Sequence, residues 1–137
     1  MNRDRARTWT AVICLTALAA GVRVWDLARH AMWVDELYSL ETSAGHGLQE
    51  HGQLPHGSIG AAPDLTGLGS ANPWWTVPRV MSGDTHPPLY FMLLRGWREA
   101  FGDTPTVARG LSVLAGVAGV PLLFLLGREL LGAAATA

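Results

Sequence analysis

The chain has no lysine, a single cysteine and few charges of either sign. Charged residues fill 15% of its 137 positions, against roughly 25% in an average soluble domain. The net charge of −1 supplies no basic field for nucleic acid, so none is expected as a partner. Cys14, alone, closes no internal disulfide and lies inside an apolar run, where a small thiol packs. The sequence also lacks a glycine-rich phosphate loop, a cysteine pair for zinc and a nucleophile elbow. All ten basic residues are arginine, which reads as coding bias and not as chemistry.

What the chain has is apolar sequence, at 49% of residues. Three segments follow the pattern of membrane helices. In the first, residues 8–27, Thr8 to Val22 carries no charge and apolarity continues through Val24, Trp25 and Leu27. That length is about what a helix needs to cross a bilayer. Arg3, Arg5 and Arg7 before it favour a cytoplasmic N-terminus and an external chain beyond. A cleaved signal peptide is the rival reading, since Ala17-Leu18-Ala19 resembles a cleavage site. In the third, residues 107–131, Gly110 to Gly127 is uncharged between Arg109 and Arg128-Glu129. Ser112, Ala115, Gly116 and Gly119 offer small-residue spacing for a close helix neighbour, and Pro121 is expected to kink it. The middle segment, residues 87–101, is short for a crossing at about 22 Å. Pro87 and Pro88 suit a helix start, and Arg95, Arg98 and Glu99 share a face near the other end. Counting it as a crossing predicts an all-α membrane protein with about three transmembrane helices. Lying in the interface is its alternative.

Residues 28–86 then form an external loop. Trp33, Leu37, Leu40 and Ala44 recur at i, i+4, i+7 and i+11, which predicts a short amphipathic helix on the membrane surface, with Trp25 and Trp33 as anchors. Asp35, Tyr38, Ser39 and Thr42 make its polar stripe. Gly45 to Gly83 holds eight glycines and four prolines with no sustained period, which predicts an irregular or mobile loop. Trp74 and Trp75 within it suit interface anchoring, or stacking on a sugar or lipid.

Candidate chemistry is concentrated at two places. Asp35 and Glu36 open the amphipathic helix. Acids there complement the helix dipole without any function, and a carboxylate at the lipid surface also suits general-base work on an acceptor hydroxyl. At about 100° apart on the helix, both are not expected to touch one atom. His86, next to Asp84 and ahead of Pro87-Pro88, is placed to contact an anionic phosphate or an acceptor. His46, His51 and His56 recur every five residues, which turns each about 140° off the last on a helix. Gly52, Pro55 and Gly57 break helices in any case, so no metal site is expected. No cofactor is indicated, and dependence on a divalent cation is left open.

These residues together resemble the N-terminal part of a GT-C glycosyltransferase, the polytopic class that includes protein O-mannosyltransferases and lipid A aminoarabinose transferases. The likeness is carried by Arg23-Val24-Trp25 followed by Met32 through Ser39, by Asp84-Thr85-His86-Pro87-Pro88-Leu89, and by Phe101-Gly102-Asp103 with Ala108 through Ser112. Val120 through Leu123 and Gly127 through Gly132 extend it. It spans most of the chain except the stretch from about Gly45 to Gly83. The resemblance implies that Asp35 is the catalytic base, with Glu36 beside it and His86 and Asp84 at the donor or acceptor. It implies an inverting transfer from a polyprenyl-phosphate sugar to a hydroxyl outside the cytoplasm. Members of the class have many more membrane helices and a C-terminal region that helps bind the donor. Residues 1–137 are therefore expected to be an N-terminal fragment or half of a split protein, inactive without the missing helices or a companion chain. A small membrane interaction or assembly protein without catalysis is the alternative.

Overall fold

In the computed structural model the described residues are 3–25, 27–29, 31–47 and 64–134, and every regular element among them is helical. Five α-helices follow in order: α1 Arg3–Trp25, α2 Val34–Ser43, α3 Val77–Val80, α4 Leu89–Phe101 and α5 Pro105–Ala134. Single 3₁₀ turns occupy Leu68–Ser70 and Trp74–Thr76. The chain divides into two compact units, one of Met1–His30 with Arg109–Ala137 and one of Ala31–Ala108.

The first unit pairs α1 with most of α5. Trp9 meets Phe124 edge-on at 5.7 Å, and Arg23 lies over Gly116, where an added Cβ would stand 2.8 Å from Nε. Arg109 donates to the Leu27 carbonyl at 2.8 Å. Contacts that rise along α1 fall along α5, so the two helices are antiparallel. Ala6–Trp25 and Pro105–Gly132 are both long and apolar enough to cross a membrane, at about 30 and 42 Å of helix. Ile13, Leu18, Val22, Leu122 and Leu123 are exposed. Thr10 and Thr16 turn their hydroxyls back onto the Ala6 and Val12 carbonyls, at 2.9 and 2.8 Å, so neither needs water. α5 runs unbroken through Pro121, whose ring nitrogen leaves the Val117 carbonyl without its usual helical donor.

The second unit is built around α2 and α4. Its apolar core is Val77, Met81 and Phe91, with Tyr38, Val80 and Met92 packed against it. α2 ends in a Schellman turn: Gly45, at φ +80°, donates to the Thr42 carbonyl at 2.9 Å and His46 donates to Glu41 at 3.2 Å. A Cβ on Gly45 would stand within 2.3 Å of Thr76 Oγ1, so glycine is required both by conformation and by space.

Among the described residues two helices have the length and apolarity for a crossing. α4 has 13 residues, about 20 Å of helix, and it turns Arg98 into the unit, 1% exposed. Within the described part of the stretch from Gly45 to Gly83, two 3₁₀ turns and the short α3 interrupt irregular chain, and Val77 and Met81 enter the core.

The Arg98 guanidinium has five donors, and all five are taken. Nε and Nη2 donate to Asp103 Oδ1, the former at 2.9 Å. Nη1 donates to Leu40 O at 2.9 Å and to Ser43 Oγ at 2.7 Å, while Nη2 also donates to Thr66 O at 2.5 Å. Thr66 is held by Asp64, whose Oδ1 accepts the Thr66 and Gly67 amides at 3.1 and 2.8 Å. Those bonds, Gly67 first, hold the Asp64 carboxyl below the usual carboxylate range. Arg95 adds bonds to Ser43 O at 3.3 Å and Asn72 O at 3.2 Å. The arginines of α4 thus draw α2 and residues 64–72 onto one helix, which an aperiodic sequence does not announce.

Candidate functional site

The Asp84-Thr85-His86 turn folds onto itself before Pro87 and Pro88 fix its exit. Asp84 Oδ1 accepts the His86 amide at 2.8 Å and the His86 ring Nδ1–H at 2.6 Å. Because a carboxylate only accepts, the ring proton sits on Nδ1, which leaves Nε2 for another partner. The His86 side chain is 64% exposed and that of Asp84 only 18%. The other carboxylate oxygen, Oδ2, accepts the Tyr38 hydroxyl at 2.5 Å.

Tyr38 comes from α2 and is held by the core. Its ring packs edge-on against Phe91 at 5.9 Å and lies 6.3 Å from the His86 ring. Its hydroxyl is 3.6 Å from Met81 Sδ. Burial, then the bond to Asp84, pushes the Tyr38 phenol above its ordinary pKa. The Tyr38 hydroxyl, the His86 amide and the His86 ring, in that order, hold the Asp84 carboxyl well below the usual carboxylate range. The result is an ionised carboxylate that orients an exposed imidazole, a second-sphere arrangement common to general bases and anion contacts.

Asp35 stands one turn before Tyr38 on α2 and is exposed. Glu36, beside it, is committed to the helix start, where its Oε2 accepts the Trp33 amide at 3.1 Å. Of the four residues singled out from sequence, the structure joins Asp84 to His86 and ties both to the helix that carries Asp35. It separates Glu36 from Asp35 by giving Glu36 a structural task. Tyr38, the link, was visible in the sequence only as a member of the polar stripe.

His46 is buried, with Nε2 3.2 Å from Ser70 O and Nδ1 3.3 Å from Asn72 Nδ2. An amide nitrogen donates, so Nδ1 accepts and Nε2–H binds the carbonyl. His51 and His56 lie outside the described residues. Among the described residues no group of three or more His, Cys, Asp or Glu is placed to hold a metal ion. A half-open groove of about 200 Å³ lies on the α4 surface between Trp74, Met92, Arg95, Gly96 and Glu99. Arg95 Nε and Glu99 Oε1 pair across its edge at 2.6 Å.

Comparison with family models, with characterised proteins and with solved structures gives no match for this chain. Its chemistry is therefore argued from these side chains.

Proposed function

We propose that the chain is the N-terminal, catalytic-loop segment of a GT-C-type membrane glycosyltransferase, taking its sugar from a polyprenyl-phosphate donor. In this reading the second unit lies outside the cytoplasm and the N-terminus inside. The acceptor is a hydroxyl. Asp35 takes the hydroxyl proton as the acceptor oxygen bonds to the anomeric carbon. The anomeric C–O bond to phosphate breaks with its electron pair leaving on the phosphate, and configuration inverts. His86 accepts the acceptor hydroxyl at Nε2 as the neutral ring, or donates Nε2–H to the donor phosphate as the imidazolium, while Asp84 fixes its ring.

The observation that supports this reading best is the Tyr38–Asp84–His86 network, which fastens the Asp-Thr-His-Pro-Pro turn to the Asp35 helix. Those two stretches are the ones that carry the sequence resemblance. A further support is that the unit holding them is bounded in sequence by the two helices able to cross a bilayer.

The test is sugar transfer in native membranes that contain the chain, with wild-type protein and with Asp35→Asn at equal abundance. Loss of a general base should lower transfer by about 100-fold or more. Transfer by Asp35→Asn at the wild-type rate would sink the assignment and leave a non-catalytic membrane assembly role.

A further inference from the structure

α4 is amphipathic in the reverse of the sense expected for a helix bathed in water. At 100° per residue, Phe91, Leu94 and Arg98 share its buried side, with Arg95 next to them at 11% side-chain exposure. Both arginines point into the protein. Across the helix, Leu89, Leu93, Trp97, Ala100 and Phe101 fall within an arc of about 120°. Leu89, Leu93 and Phe101 are 64%, 56% and 62% exposed, and no charged residue lies in that arc. A surface helix in water shows its charges outward and its leucines inward.

Trp97 decides what the face meets. Its ring stacks on Phe101 at 4.2 Å between centroids, and its Nε1–H donates to Val107 O at 2.7 Å. Val107 belongs to the first turn of α5, within the Pro105–Gly132 segment able to cross a membrane. The polar end of the indole is therefore satisfied by protein, and the ring needs no water. Only residues 102–104 separate the end of α4 from that segment, so the Phe101 end of the apolar face lies within about 15 Å of chain from it. The segment is about 42 Å long against a hydrocarbon core of about 30 Å, and Arg109 near its start favours headgroup depth for its first residues.

We propose that the outward face of α4, centred on Leu93 and Trp97, is a lipid-contact surface seated in the bilayer interface. α4 lies in that layer and does not cross it. The partner is the headgroup and upper acyl region of a phospholipid leaflet. Trp97 and Tyr90 supply the amphipathic rings that favour this depth, and the inward arginines leave lipid to the leucines. This inference does not depend on sugar transfer.

The test uses the full chain in phosphatidylcholine nanodiscs, with Leu93→Cys on a Cys14→Ala background, labelled with a bimane fluorophore. Two quenchers are compared: a nitroxide carried near the headgroup of the lipid, and aqueous iodide. The lipid-borne quencher should lower emission about twofold or more while iodide has little effect, as for an interfacial side chain. Leu89→Cys repeats the measurement at a second exposed position. Strong iodide quenching without lipid quenching would overturn the proposal by showing a water-facing helix. Silence to both quenchers would overturn it equally, by showing that a second copy or another protein covers the face.

Discussion

Asp84 carries a charge that three donors stabilise, and that has a measurable consequence at the scale of one residue. An unfolded aspartate titrates near 3.9, and Asp84 titrates lower in the folded chain. Its contribution to stability is therefore present above about pH 4 and is lost as pH falls through the folded value. Tyr38→Phe removes the largest of the three donors and returns the folded pKa towards the unfolded one. The variant should be less stable than wild type at pH 7, and the gap should close as pH is lowered from 4 towards 2. Thermal melts in nanodiscs across that range read both effects; a gap that widens in acid would contradict the assignment. Tyr38 itself has a raised pKa. The stability tied to its neutral hydroxyl is present below about pH 10 and is lost above.

At the scale of the element, α4 is defined by where its arginines go. Arg98→Ala removes five donated bonds at once, while Asp103 keeps the Leu68 amide and Leu40 O keeps the Ala44 amide. With Asp103 31% exposed, the cost falls at the low end of that for a broken buried pair, about 3 kcal/mol, and should destabilise the second unit while α1 and α5 stay helical. Chemical denaturation followed by tryptophan fluorescence, with circular dichroism as the second readout, would separate the two. The sequence showed Arg95, Arg98 and Glu99 on one face, but the direction of that face was not legible. Apart from Asp103, its partners on other elements are 23 to 58 residues away in the chain, and only packing brings them near. A helix at α2 was legible because its apolar period is local. The Asp84–His86 bond was not read from the sequence, which set the two side by side only as candidate contacts. The fold of residues 64–83 was not legible either, since 3₁₀ turns and a four-residue helix leave no period to read.

At the scale of the molecule, the direction of α5 against α1 distinguishes two topologies. Three crossings would bring α1 and α5 through the bilayer in the same sense, whereas the contacts of Trp9 with Phe124 and of Arg23 with Gly116 require opposite senses. On a Cys14→Ala background, Trp9→Cys with Phe124→Cys should couple efficiently through a short bismaleimide. Trp9→Cys with Ser112→Cys should not, and the reverse pattern would restore the parallel arrangement. The apolar runs made both helices legible from sequence, while their relative sense, set by contacts between residues about 90 to 115 positions apart, was not. The Arg98 cluster has a last consequence, for the order of events during folding. A guanidinium that draws its acceptors from three separate stretches gains little until all three have arrived, and meanwhile it loses its water. Partial assemblies of the second unit are therefore unfavourable, and it should form and melt in one cooperative step, with amides of α2 and α4 exchanging their hydrogens at a common rate.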